Sequence, residues 1–170
     1  GGLGFLTSVS EDDVDRALDF LEREGADEIG VVAVSMGALA AGRALALKPR
    51  STVRALALIG PVASVPTLVR YNGRRLRLPS FLQSAILRLG SWLAGAPLKE
   101  ADLGAWLWGT KTPLGLFLGD KDWITGSPHA DELRGKLKFD RDATYAGGHD
   151  EPWNPELQEK IRAWLKEKLS

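Results

Sequence analysis

An α/β domain, a three-layer αβα sandwich around a mainly parallel sheet, is predicted by two features of this 170-residue chain. Short apolar runs alternate with amphipathic stretches of helical length, an order that sets strands side by side and joins them by right-handed crossovers. The runs Val31-Val32-Ala33-Val34 and Ala55-Leu56-Ala57-Leu58-Ile59 carry no polar alternation, as expected of strands buried on both faces.

The elements follow in order. A helix is placed at 11–24, where Ser10 stands three residues ahead of Asp13 and precedes Val14, Ala17, Leu18 and Leu21. That pattern reads as an N-cap with a capping-box acid. A β-branched run predicts a strand at 29–34, the Ala/Leu-rich stretch after it a helix at 36–47, and a second apolar run a strand at 53–59. Residues 61–112 interrupt the alternation. Within them Ser80 to Leu93 reads as a helix with Leu82, Ile86, Leu89 and Leu93 on one face, and Asp102 to Trp108 adds Trp106 and Trp108, with Trp92 nearby. Core packing is the expected role of these side chains individually, and an apolar, aromatic lid is the alternative. Arg70, Arg74, Arg75 and Arg77 surround Tyr71-Asn72-Gly73, which reads as a turn in a solvated basic loop, with an anionic-substrate gate as the alternative. A strand at 113–118, a helix at 128–135, a strand at 138–144 and a helix at 154–168 restore the alternation. The last helix sets Leu157, Ile161, Trp164 and Leu165 on one stripe, with Lys and Glu opposite.

Composition argues for one globular domain. Apolar residues make up 44% and charged residues 26%, both near the average, and 22 basic side chains balance 22 acidic ones. That neutrality gives no electrostatic reason to expect a nucleic-acid partner. No stretch is long and apolar enough to span a bilayer and no basic-then-apolar start signals export, so a soluble, cytoplasmic protein is expected. The absence of cysteine removes disulfides, thiolate metal sites and cysteine nucleophiles.

The chemistry concentrates at three places. Ser35 stands in Ala33-Val34-Ser35-Met36-Gly37, between a strand and a helix. A serine on so tight a turn is held in a strained conformation with its hydroxyl thrust above the end of the sheet. Residues two before and two after it are expected to face each other, which calls for small side chains at Ala33 and Gly37; a buried strand followed by a serine-capped helix is the plain alternative. Later, Leu114-Gly115-Leu116-Phe117-Leu118 runs into Gly119-Asp120-Lys121-Asp122, and Gly147-Gly148-His149 follows the last strand. Acid and base thus each sit just past the carboxyl end of a strand, where functional groups of open α/β sheets collect.

In these three motifs, taken in this order, the chain resembles the α/β-hydrolase superfamily from about Gly4 to its C-terminus. The resemblance implies a serine hydrolase or esterase with Ser35 as nucleophile, His149 as base and Asp122 as acid, the last because the family's acid stands three residues after the strand-ending glycine. Asp120 is the rival acid. The Met36 backbone N–H is implied as an oxyanion donor at the start of a helix whose dipole favours negative charge. The implied substrate is a small-molecule ester or related acyl compound, and residues 61–112 occupy the place of the family's cap insertion. The usual glycine at Ala33 is a mild departure. A larger one lies upstream: Gly1-Gly2-Leu3-Gly4-Phe5-Leu6-Thr7-Ser8 resembles the loop after the family's fourth strand, so the first half of the usual sheet and its second oxyanion loop are expected to be absent. The chain also opens without Met, which fits a fragment or a processed product. That absence keeps a second reading open, a catalytically weak or inactive scaffold used in binding or assembly.

The other candidates are weaker. His129 follows Ser127-Pro128 in a polar helix start and reads as a surface residue. Asp120, Asp122, His149, Asp150 and Glu151 could be drawn as a metal cluster, but no ligand spacing supports one, and no metal or other cofactor is expected. If the sheet holds only the four strands named here, the strand at 29–34 lies at an edge despite its central-strand composition. An apolar edge of that kind predicts a homodimer, strand swapping, aggregation or a missing partner strand.

Overall fold

The structure, a computed structural model, describes residues 8–151 and 154–170. Gly1 to Thr7, read above as part of a loop, lie outside the described residues. Four strands, β1 (Ile29–Val34), β2 (Val53–Ile59), β3 (Leu114–Gly119) and β4 (Arg141–Tyr145), form one sheet in the order β1-β2-β3-β4 with every neighbouring pair parallel. The register sets Val34 against Ile59, Ile59 against Phe117 and Gly119 against Tyr145. All four strands therefore end at one rim.

Successive side chains of a strand point to opposite faces, and here both faces are covered. Leu56, Leu58, Leu114 and Leu116 pack with Leu18 of α1 (Ser8–Arg23), Leu39 and Leu45 of α2 (Gly37–Leu47) and Leu133 of α6 (Gly126–Arg134). Ala55, Ala57, Ile59 and Phe117 pack on the other face against Leu157, Ile161 and Trp164 of α7 (Pro155–Lys168). This arrangement accounts for the missing polar alternation. Trp164, 1% exposed, meets Phe117 edge-on with ring centres 6.0 Å apart. A Cβ at Gly115 would stand 2.8 Å from the Phe117 ring and 3.0 Å from that of Trp164; glycine is what lets the indole reach the sheet. Among the described residues β1 pairs with β2 alone, so the strand of central composition lies at an edge. No helix among the described residues is long and apolar enough to cross a membrane.

Three expectations are corrected. First, α1 begins at Ser8, so Ser10 is its third residue and not its cap, and the Asp13 carboxylate instead lies 3.5 Å from Arg16. Second, the Tyr71-Asn72-Gly73 turn does not exist: the segment lies within α3 (Val65–Arg75). The start signal was present, because Ser64 Oγ accepts from the Thr67 N–H at 3.3 Å and Pro66 falls in the first turn. Gly73 is tolerated because Gln83 lies on it, with side-chain atoms 2.8 Å from where a Cβ would be.

Third, the apolar stripe of α4 (Ser80–Ala94) is not core. No residue of that helix is buried, and Leu82, Ile86, Leu89 and Leu93 are all exposed. The helix leans inward on a narrower stripe of Gln83, Leu87, Gly90, Ser91 and Ala94, each half-buried. Small α5 (Leu103–Trp106) does join the core: Leu103 is fully buried and packs over Gly42 of α2.

α1 is tied to the turn before β2 by charge. Arg50, its side chain 4% exposed, pairs with Asp15, Asp19 and Glu22, and Lys48 reaches Asp19 at 2.8 Å. Hydrogen bonds from Lys48 and Arg50 hold the Asp19 carboxyl down to about 2, from 3.8. A carboxyl whose pKa falls on folding stabilises the fold above its unfolded value, and loses that contribution as pH drops through the folded one. Asp19→Asn is expected to lower the urea midpoint at pH 5 and to leave it close to wild type at pH 2. Trp164→Ala, which empties the space between α7 and the sheet, is expected to cost about 3–5 kcal/mol in the same measurement.

Candidate active site

Ser35 lies directly between β1 and α2 with φ +52°, a left-handed conformation that costs an L-residue roughly 1–2 kcal/mol. Its main chain is clamped on both sides: the Ser35 N–H donates to Ile59 O at 2.9 Å, and its carbonyl accepts from the Val62 N–H at 3.3 Å. The end of β2 therefore holds the strained turn in place. Ala33 is buried, as its small size requires. Gly37 is exposed, and a Cβ built there meets nothing within 4 Å; in this conformation the facing chain does not enforce a small residue at that position. Met36 is the N-cap of α2, so its amide is one of the helix-start donors that have no acceptor within the helix.

Asp122 sits in the loop after β3. Its Oδ1 accepts from the N–H groups of Ile124 (2.9 Å) and Thr125 (3.0 Å), and its Oδ2 from the Thr125 hydroxyl (2.7 Å). His149 Nδ1 lies 2.9 Å from the same Oδ2, and His149 Nε2 lies 2.8 Å from Ser35 Oγ. The Asp122 side chain is 4% exposed. Burial pushes its pKa up, but the hydrogen bonds from His149 and Thr125 outweigh burial and hold it below the usual carboxylate value. An ionised carboxylate only accepts, which places the proton on Nδ1 and leaves Nε2 to accept from the serine hydroxyl.

The rival Asp120 has a different task. Its Oδ1 accepts from the Gly147 N–H at 2.9 Å, while Lys121 N–H donates to Gly147 O at 3.0 Å. These bonds tie the acid loop to the glycine-rich loop that carries His149. Tyr145, on the strand below, is pushed up to about 12, mainly by burial and further by Asp122 and Glu151. It stays neutral beside the carboxylate.

Two further residues shape the site. Gly60 directly follows β2 with φ +45°, and a Cβ there would stand 2.8 Å from Asp122 Oδ2 and 3.3 Å from His149 Nδ1. Thr125 is 1% exposed, and its hydroxyl braces the acid. The break in the apolar run at Ile59-Gly60-Pro61 was a visible cue for the glycine; nothing local marked the threonine.

His129 is not a surface residue. It is 1% exposed, on the inner side of α6 with Ala130 and Leu133, and its Nδ1 accepts from the Ala63 N–H at 3.0 Å. The Tyr71 ring meets it edge-on at 6.2 Å. Burial lowers its pKa, and an accepting Nδ1 is available only in the neutral ring.

Trp106 and Trp108 of the 61–112 segment lie along α2, away from Ser35. Trp106 packs under the Arg43 guanidinium, 5.6 Å from its ring centre, and Trp108 borders Pro49 and Arg50, toward the opposite end of α2. Among the described residues no group of three or more His, Cys, Asp or Glu side chains is arranged to hold a metal ion.

No protein-family model and no curated protein sequence matches the chain. Solved structures do. An esterase from Pyrococcus furiosus superposes with a TM-score of 0.65 at 18% identity, over 93% of this chain and 62% of its own. The esterase domain of a Rhodothermus marinus protein gives 0.68 at 21% identity, over 97% and 72%. An α/β-hydrolase enzyme from a lagoon-sediment metagenome gives 0.60 at 19%, over 98% and 76%. The chain thus spans 62% of the length of the Pyrococcus esterase, and its fold is that of the α/β-hydrolases.

An NMR pH series on the imidazole resonances tests the burial of His129. His129 should ionise below the 6.5 of a free imidazole, and stability at this site should be complete above that pH and fall as acid forces a proton onto the buried ring. Gly60→Ala is expected to push Asp122 and His149 apart and to change the His149 ring resonances while the far-UV spectrum stays native.

Proposed function

We propose that this chain, with the α/β-hydrolase fold as its frame, hydrolyses carboxylic esters or related acyl substrates through an acyl-enzyme formed on Ser35. The reading rests above all on one observation, the unbroken chain Ser35 Oγ, His149 Nε2 at 2.8 Å and His149 Nδ1 to Asp122 Oδ2 at 2.9 Å. A serine hydroxyl is a weak nucleophile until a base removes its proton. As Ser35 Oγ attacks the acyl carbon, its proton passes to His149 Nε2, and Asp122 stabilises the imidazolium without taking the proton. The carbonyl oxygen becomes an oxyanion, for which the Met36 N–H and the N-terminal dipole of α2 are the available stabilisers in this part of the fold. The tetrahedral intermediate collapses as His149 protonates the departing alcohol. Water then repeats the sequence on the acyl-enzyme, His149 taking its proton and returning it to Ser35, and the carboxylic acid leaves.

Asp122 retains its charge through the cycle because four hydrogen bonds converge on it, so it can hold the imidazole in one tautomer. Residues 61–112 act in this reading as a cap, fastened to the acid loop through α3. The Asn72 side-chain amide donates to Ile124 O and the Arg75 guanidinium to Trp123 O, each at 3.1 Å.

A fluorophosphonate probe is expected to label the wild-type protein and to leave Ser35→Ala unlabelled. A folded wild type that takes no label and turns over no p-nitrophenyl ester would favour the binding scaffold instead. Asp122→Asn, which allows the wrong tautomer, is expected to reduce ester turnover by about 10⁴-fold, the size of effect this exchange has in other Ser-His-Asp enzymes.

A further inference from the structure

Within the 61–112 segment, α3 and α4 form a hairpin whose outer surface joins apolar and basic side chains. Phe81, Leu82, Ile86, Leu89, Trp92 and Leu93 cover two adjacent stripes of α4 and are all exposed, Phe81 by 68% and Trp92 by 75%. Contiguous apolar surface of this extent, rimmed by charge, marks an interaction site. It does not come from a loosely held helix. The opposite stripe is locked, with Ser91 Oγ accepting from the Leu98 N–H at 3.1 Å, Gln83 donating to Leu78 O at 2.8 Å, and Gly90 so close to Leu98 that a Cβ would stand 2.9 Å from its methyl.

Residues 61–99 contain six basic side chains and no acidic one, in a chain whose total is neutral, so the remainder carries a net charge of −6. Arg70, Arg74, Arg75 and Arg77 belong to α3 and the turn after it, and Arg88 is the one charge on α4. All five are exposed, and among the described residues none has a carboxylate partner. Only Arg75 is engaged, between the rings of Tyr71 and Trp123 and on Trp123 O.

We infer that the α3–α4 hairpin is a docking surface for anionic lipid, lying in the headgroup region with its Phe, Leu and Trp side chains toward the acyl chains and its arginines on the phosphates. An amphipathic helix with aromatic and leucine residues on one side and basic residues beside them is the form that binds such surfaces. A second copy of this chain fits less well. A two-fold contact through the same face would set one arginine-rich hairpin against another with no acidic group between them. The hairpin is also bonded to the loop that carries Asp122, through Asn72 and Arg75, and the exposed Trp123 of that loop adds an aromatic of the kind found at membrane interfaces. Docking there would bring acyl lipids to the mouth of the proposed catalytic site. This consequence rests on the proposed function; the binding itself does not.

The test is therefore made on the full chain carrying Ser35→Ala, with phosphatidylglycerol-containing vesicles and with pure phosphatidylcholine vesicles. Sedimentation with the anionic vesicles and a blue shift of tryptophan emission are expected, with little binding to the neutral ones. Phe81→Ser with Trp92→Ser should abolish binding. Arg74→Ser with Arg77→Ser should weaken it about 25-fold, on the scale of about fivefold per arginine at an anionic surface, and added salt should also weaken it. Both double variants should keep the far-UV spectrum and urea midpoint of wild type. Failure of folded protein to bind anionic vesicles would overturn the proposal. So would binding that survives both double variants, or a concentration-dependent dimer that the Phe81 and Trp92 changes dissolve. Vesicle binding by a chain that never labels with fluorophosphonate would uphold the docking surface and remove the hydrolase.

Discussion

The parallel register of the sheet is the constraint on which the rest depends. Because Val34, Ile59, Phe117, Gly119 and Tyr145 are held in step from β1 across to β4, the four connections that leave the strands emerge at one rim. Residues 114 positions apart, Ser35 and His149, come within 2.8 Å because each follows the end of its own strand. The strained serine is likewise supported by the neighbouring strand, through Ile59 O and the Val62 N–H. The roughly 1–2 kcal/mol of backbone strain at such a residue persists only where surrounding bonds overdetermine it.

Around that rim most buried polar atoms have partners, His129 Nε2 being an exception. Asp122 accepts four hydrogen bonds, Asp120 joins the two loops, His129 accepts the Ala63 N–H from inside the core, and Gly60 leaves room for the Asp122 and His149 pair. The carboxylates among them would be costly to leave unpaired in a buried setting. Together they leave the imidazole little freedom of tautomer or orientation.

Much of this was legible along the chain. The four strands fall close to where the sequence places them, β3 one residue later than expected and β4 starting three residues later, at Arg141. Ser35 and His149 stand out as candidates through local turn chemistry, a hydroxyl between strand and helix and an imidazole after a strand end, whereas Asp122 is preferred to Asp120 only by the spacing of the family it resembles; the structure brings the three within hydrogen-bond reach. His129 was misplaced because a polar-looking helix start hides which side faces inward, and that depends on what α6 packs against. The helix over Tyr71-Asn72-Gly73 was missed because a turn tripeptide outweighed a distant Ser64 cap. The stripe of α4 misled for a related reason. Periodicity shows that Leu82, Ile86, Leu89 and Leu93 share a face, but gives no direction for that face, and here it turns outward.

Along the chain one can read the alternation of elements, the apolar strands that demand cover on both faces, and the candidate side chains for nucleophile, base and acid chemistry. These follow from residue type and short-range spacing. Tertiary structure decided which acid meets the imidazole, which histidine is buried, that Thr125 and Gly60 shape the pair, and that the apolar side of α4 meets solvent. Those outcomes depend on contacts between segments far apart in the chain, and no local pattern carries the relative placement of two packed elements.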